Sequence, residues 1–148
     1  MTQIQPISFD IIINAPASKV WNVLTKPQLM KQWMSEEPLD VMTDWKVGGP
    51  ILIKGNIHEV GFENTGRVLQ FEPHKILRYE HLSSLSKLPD VPSNRSLLEF
   101  KLHEIVHQTL LNLTISNFPT ESIYKHLKFY WDTTIGIVKK FTEEWQQA

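Results

Sequence analysis

Cysteine is absent from the chain. Disulfides, thiolate nucleophiles, cysteine-held iron–sulfur clusters and cysteine-ligated zinc are excluded with it. The absence fits a reducing compartment, and a cytoplasmic location is the expectation. An excess of either charge is missing too: 15 basic against 16 acidic side chains leave a net charge of −1. Such a balance steers the chain neither to nucleic acid nor to an anionic membrane surface. No apolar run approaches the roughly 20 residues that cross a bilayer. The opening Met1-Thr-Gln-Ile-Gln-Pro6 has no basic patch followed by an apolar core, so no signal peptide is expected. Internal repeats and low-complexity tracts are also lacking. What is present is 148 residues, 41% hydrophobic and 21% charged. That is ordinary for a soluble globular protein, and one domain over 1–148 can build its core without staples.

The strongest periodic signal lies at the end of the chain, from Ser122 to Trp145. Ile123, Leu127, Tyr130, Trp131, Thr134, Val138, Phe141 and Trp145 follow one another mostly in steps of three and four, one face of an α-helix. Pro119 and Thr120 precede it, and Thr120 or Ser122 can cap it. Lys139, Lys140, Glu143 and Glu144 read as a solvated face. Such a helix spans roughly 35 Å, the width of a small domain.

The rest alternates. Ile7 to Ile13 reads as a strand, followed by a short helix over Ser18 to Leu24 and a second from Pro27 through Trp33. Strand signals follow at Leu39 to Met42, Ile51 to Ile53, Gly66 to Phe71, Ile76 to Leu82, Leu97 to Leu102 and Thr109 to Ile115. Gly48-Gly-Pro50 reads as a turn, Gly55 and Asn56 as punctuation, and Gly61 as the start of a segment. Ser83 to Ser96, with Pro89 and Pro92, is the longest irregular stretch. The fold class is therefore α+β: a curved antiparallel sheet of about six or seven strands, two short helices after the first strand, and a long terminal helix covering the inner face. A gap between strands and helix is where a small molecule can lie.

Ala15-Pro-Ala-Ser-Lys-Val-Trp-Asn-Val-Leu-Thr-Lys-Pro27, continuing to Lys31-Gln-Trp33, resembles the opening of SRPBCC (START-like) domains. The branch it is most similar to is that of the activator of the ninety-kilodalton heat-shock-protein ATPase. Asp44-Trp-Lys-Val-Gly-Gly49 resembles that branch's glycine-glycine turn. Gly66-Arg-Val68 through Pro73 to Leu77-Arg-Tyr79 resembles its next two strands, and the helix around Trp131 its closing helix. The resemblance implies a helix-grip fold with a cavity between sheet and helix, and leaves the activity open, because relatives bind lipids, hormones or polyketides, catalyse cyclisation, or act as co-chaperone domains. Many members of the branch carry a histidine where Ile115 stands, so a polar role there is not expected.

His103-Glu-Ile-Val-His107 fits the zinc-protease pattern H-E-x-x-H, in which two histidines share one face of a helix. The flanks alternate with period two, no third ligand stands at a familiar spacing, and the resemblance puts a hairpin turn here. Two histidines flanking a turn are expected, with no metal, cofactor or catalytic residue assigned. His81 shares a face with Leu77 and Tyr79; it can orient a ligand, act as acid or base, or simply be satisfied at a cavity rim. Trp33, Tyr79, His81, Phe100, Leu113, Ile115, Tyr130, Trp131 and Thr134 are the candidate ligand-binding residues, against the alternative of a filled aromatic core. Trp21 and Ile13 are assigned to packing. The leading expectation is a domain that binds a small hydrophobic or aromatic molecule without catalysis. The alternatives are a cyclase- or hydrolase-type enzyme using His81 and Tyr79, and a chaperone-associated interaction domain using the outer sheet face or Ser83 to Ser96.

Overall fold

The computed structural model describes residues 4–145. Residues 1–3, part of the stretch expected to hold no signal peptide, lie outside the described residues. Element order is β1 (Ile7–Ile13), α1 (Ala17–Thr25), α2 (Pro27–Trp33), β2 (Leu39–Met42), β3 (Pro50–Ile57), β4 (Val60–Glu72), β5 (Ile76–Ser83), β6 (Ser96–Ile105), β7 (Gln108–Ser116) and α3 (Glu121–Glu144). The seven strands form one sheet in the order β1-β7-β6-β5-β4-β3-β2, and every pairing is antiparallel. The sheet curves, β4 and β5 shift register between Val68 and Gln70, and such a bulge adds local bend and twist. This is the expected α+β helix-grip arrangement.

Alternation sets the inner face. Leu77 and Tyr79 on β5, Leu98, Phe100 and Leu102 on β6, and Leu111, Leu113 and Ile115 on β7 are buried against Leu127, Trp131, Ile135 and Val138 of α3. Val20, Trp21 and Leu24 of α1 close one end. The helix begins where its cap allows: the Thr120 hydroxyl accepts the Ile123 N–H at 3.1 Å. Leu127, Trp131, Thr134 and Val138 of the expected stripe are buried, and Ile135 and Thr142 join them. The far end is tied to β1. Lys139 Nζ donates to the Ile12 carbonyl at 2.6 Å, and a Glu143 oxygen accepts the Asn14 N–H at 2.7 Å and Lys139 at 2.8 Å. These two side chains, expected only to be solvated, are therefore a clamp.

The expected break at Gly55 and Asn56 does not occur. β3 runs through it, and the hairpin to β4 turns at His58 and Glu59, with left-handed φ of 49° and 69°. Gly55 serves close approach instead, because a Cβ there would stand 2.5 Å from Leu39 Cδ2 and 2.9 Å from the Phe62 ring. Ser83 to Ser96 is irregular as expected, with two single 3-10 turns at Ser84–Ser86 and Pro92–Asn94. Arg95 anchors it, donating to Asp90 at 2.8 Å and pairing with Glu80 at 3.5 Å.

The H-E-x-x-H segment is a hairpin. His103 and Glu104 lie on β6, and the turn is Val106-His107, with φ of 42° and 66°. His107 thus sits in the turn rather than beside it. Glu104 caps a helix from across the fold. Its Oε1 accepts the N–H of Ala17, the first residue of α1, at 2.6 Å. That helix follows Pro16, which has no side-chain acceptor to cap it. Glu104→Ala is expected to lower stability by about 1 kcal/mol, the usual loss of a cap. Urea unfolding measures it, and a chelator is expected to leave the melting temperature unmoved.

Candidate functional site

A cavity of about 140 Å³ lies between the β2–β5 part of the sheet and the first half of α3. Inward positions two or four apart build its walls: Ile53 and Ile57 on β3, Phe62 and Asn64 on β4, and Tyr79, His81 and Ser83 on β5. Leu39 and Met34 cover one side, and Leu127, Tyr130 and Trp131 form the roof. A second compartment of about 220 Å³ adjoins it toward the start of α3. His81, Ser83, Leu85, His126 and Leu127 line both, so the two meet there. Among the described residues no lysine, arginine, aspartate or glutamate lines either one.

Aromatic packing makes the wall rigid. The Tyr79 ring is flanked by Phe100, stacked at 6.2 Å, and Trp45 at 6.0 Å. Trp45 itself stacks on Phe71 at 5.6 Å, and its indole N–H donates to the Thr25 carbonyl at 2.5 Å. Trp131 meets Phe100 at 5.6 Å and Trp33 at 6.1 Å. The Trp33 indole N–H is committed to the Val23 carbonyl at 2.8 Å.

Burial decides the polar chemistry. It raises the Tyr79 hydroxyl well above the usual phenol range, and the nearby Tyr130 raises it further. Burial pushes Tyr130 up to about 12, while the Thr134 hydroxyl pulls the other way. The Tyr130 hydroxyl donates to the Met34 carbonyl at 2.6 Å, fastening α3 to the end of α2. His81 is lowered from 6.5 to about 4, first by burial and then by His126 across the cavity. The imidazole is therefore neutral at pH 7. Asn64 Oδ1 is buried, and among the described residues no donor reaches it.

The His81 shift has a consequence for stability. Unfolded, the imidazole takes a proton near pH 6.5; folded, only near pH 4. Between these values the unfolded state binds more protons, so stability is full above 6.5 and falls as the pH drops toward 4. The full gap corresponds to roughly 3 kcal/mol. His81 keeps partial contact with solvent, which reduces this to about half. Glu143, held low by Lys139 and the Asn14 N–H, keeps its stabilisation down to the ordinary carboxylate value of 4.5 and loses it below, so it extends the fall to lower pH. The melting temperature of His81→Leu is therefore expected to change less than that of the parent between pH 6.5 and 4. Parallel curves would refute the assignment.

Of the nine candidate residues, Tyr79, His81, Tyr130 and Trp131 line the cavity. Trp33, Phe100, Leu113, Ile115 and Thr134 do not; they pack behind its walls. Ile115 is fully buried and faces Leu98 and Ile7 across the ladder. Sequence reading missed the β3–β4 wall, because Gly55 and Gly61 broke its alternation. It also missed His126, which stands one helical turn before Tyr130 and was findable from that spacing. Asn64 carried no signal at all.

The family described as Activator of Hsp90 ATPase homolog 1-like protein matches residues 14–143. Among solved structures, the chain is similar to the protein ChR145 from Cytophaga hutchinsonii, with 34% identity, a TM-score of 0.80 and 97% of each chain covered. It is similar in fold to CV1439 from Chromobacterium violaceum, at 17% identity and a TM-score of 0.80, covering 93% of this chain and 96% of that one. The Aha1 dimer from Colwellia psychrerythraea is another structural relative, at 22% identity and a TM-score of 0.72, covering 95% and 98%. No curated protein matches the chain. Among the described residues no helix is long and apolar enough to cross a membrane. A curved seven-stranded sheet closed over a long terminal helix, a match over residues 14–143 and a relative one-third identical along nearly its whole length together make this chain a member of the Activator of Hsp90 ATPase homolog 1-like family, within the SRPBCC superfamily.

Proposed function

We propose that the protein binds a small, uncharged, largely apolar molecule in the cavity between sheet and α3, without transforming it. The observation that carries this reading is the lining: Leu39, Ile53, Ile57, Phe62, Leu98 and Trp131 surround a few polar tips and, among the described residues, no ionic side chain. Apolar walls supply affinity by burial, at about 25 cal/mol per Å² removed from water. The tips supply orientation. Tyr79 and His81 share the space, which is what an acid–base enzyme of cyclase or hydrolase type would need. Weighing against that second reading, an imidazole with a pKa of about 4 is a weak base at neutral pH.

The test is a thermal-shift screen of purified protein against neutral aromatic and aliphatic compounds, with native mass spectrometry for any molecule that co-purifies. A compound that raises the melting temperature in the parent, and does so less in Leu98→Trp, supports the reading. If no compound in the screen shifts the parent, the reading fails. Turnover of a bound compound that is lost in His81→Ala would replace it with the enzyme.

A further inference from the structure

We infer that the two compartments form one bent site for an elongated ligand, whose apolar body lies in the inner compartment and whose alcohol or amide end crosses into the outer one, hydrogen-bonded by His81 at the bend. The inference rests on the binding function proposed above and adds the ligand's length, its polar end and the residue that selects it. His81, Ser83, Leu85, His126 and Leu127 border both compartments. Beyond this shared belt the linings differ. The inner compartment is walled by Ile53, Phe62 and Trp131, whereas the outer one adds Ser86, Asn94 and Ser122. Two elements run along the whole site and give its length. On α3 the lining extends from Ser122 to Trp131, roughly 13 Å at about 1.5 Å per residue. On β5 it extends from Tyr79 to Ser83, again roughly 13 Å at about 3.3 Å per residue.

His81 is the polar group that meets a ligand passing between the two. Among the described residues its ring makes no hydrogen bond, and its environment acts on it only through burial and through His126. The buried polar side-chain atoms that lack a partner are Asn64 Oδ1 and Arg78 Nε. The His81 nitrogens are not among them: they are unpartnered but border open space, on a side chain that is only part-buried. Neutral at pH 7, the imidazole offers one N–H donor and one bare nitrogen acceptor. An alcohol or amide carries the complement of both, and a hydrocarbon end carries neither. Tyr79, two residues earlier on the same face, borders the inner compartment alone.

Equilibrium dialysis at pH 7.5 with three shape-matched probes tests this. They are naphthalene, 2-propoxynaphthalene and 2-(2-naphthyloxy)ethanol, whose tail ends in a hydroxyl where the propoxy tail ends in a methyl. The parent is expected to bind the alcohol roughly tenfold tighter than the propoxy ether, the effect of one added hydrogen bond. His81→Phe keeps a ring at the bend and removes both nitrogens, so it should erase that preference while still binding naphthalene. Ile123 lines the outer compartment and not the inner one, and Ile123→Trp fills that space. It should weaken both tailed probes by roughly tenfold and leave naphthalene unchanged. Equal binding of alcohol and ether by the parent overturns the role of His81 and leaves the binding function standing. A preference that survives His81→Phe, or is lost in Tyr79→Phe instead, overturns that role too. Tailed probes that bind Ile123→Trp as they bind the parent overturn the shared, bent site. If none of the three binds, the inference falls, and the broader screen above decides the binding function separately. The comparison within the parent tests the polar end even where a variant does not fold.

Discussion

Gly66→Ala is expected to lower stability by about 3 kcal/mol or more, beyond the usual range for a one-methyl insertion. The reason is local and steric. A Cβ at Gly66 would stand 1.6 Å from the carbonyl oxygen of Glu80 and 2.6 Å from its carbonyl carbon. Those are backbone atoms of β5, so no rotamer change relieves the overlap. Either β4 or β5 must move, and β5 carries Tyr79 and His81 on either side of Glu80. The ladder hydrogen bonds near the bulge would weaken with it. For a chain of this size the loss corresponds to a fall in melting temperature of about 6–12 °C. Gly136→Ala provides the contrast. Gly136 is exposed in the interior of α3, and nothing lies within 4 Å of its Cβ position. There the same substitution should stabilise by about 0.5–1 kcal/mol through helix propensity and unfolded-state entropy. Urea unfolding of the two variants side by side checks both signs. A Gly66→Ala protein within about 1 kcal/mol of the parent would mean that β4 and β5 do not approach as closely as described.

Trp131→Ala is expected to cost about 3–5 kcal/mol. Trp131 is 3% exposed and touches the rings of Trp33, Phe100 and Tyr130, at 6.1, 5.6 and 5.2 Å between centroids. It is the contact through which α3, α2 and the sheet share one core. Truncation removes its burial and enlarges a cavity that already exists, so the walls have little room to collapse around the loss. Near-UV circular dichroism should weaken as the packed indoles of Trp33 and Trp131 lose their fixed environment. Phe129, two residues earlier and 79% exposed, is the control. Phe129→Ala should stay within about 0.5 kcal/mol of the parent. A small loss at Trp131 would place α3 away from the sheet and remove the cavity with it.

These two positions differ in how legible they were. Trp131 was readable because a helix repeats every 3.6 residues and α3 is 24 residues long, so the stripe recurs many times. Its inward tryptophan followed from the same pattern, while the cap was open between Thr120 and Ser122 until the structure chose Thr120. The strand faces of β5, β6 and β7 were readable for the corresponding reason at period two. Gly66 was visible as a residue but not as a requirement, because what demands a glycine there is a carbonyl fourteen residues later in a neighbouring strand. Gly55 misled: glycine beside asparagine signals a turn locally, whereas here two side chains from β2 and β4 lie across the backbone. Glu104 was visible only as the middle of an H-E-x-x-H string already set aside as a metal site, and its partner, the Ala17 N–H, lies 87 residues earlier in the chain, where no local pattern points.

The candidate site divides along the same line. Tyr79, His81, Tyr130 and Trp131 were readable because each shares a face with buried neighbours in its own element. Phe100, Leu113, Ile115, Trp33 and Thr134 share such faces too, yet they pack in the core behind the cavity rather than along it.

From its order of residues alone, this chain determined its element types, its antiparallel order, a long terminal helix over one sheet face and its lack of cysteine chemistry. These depend on periodicity and composition, which are local or additive; the helix-grip arrangement was what the family resemblance implied. Only the tertiary structure decided where the sheet stands off the helix, which inward side chains face that space, and that His81 stands where the two compartments meet. A cavity is the difference between two packed surfaces. It depends on strand curvature and on contacts between residues far apart in sequence, and no repeat within a single segment encodes it.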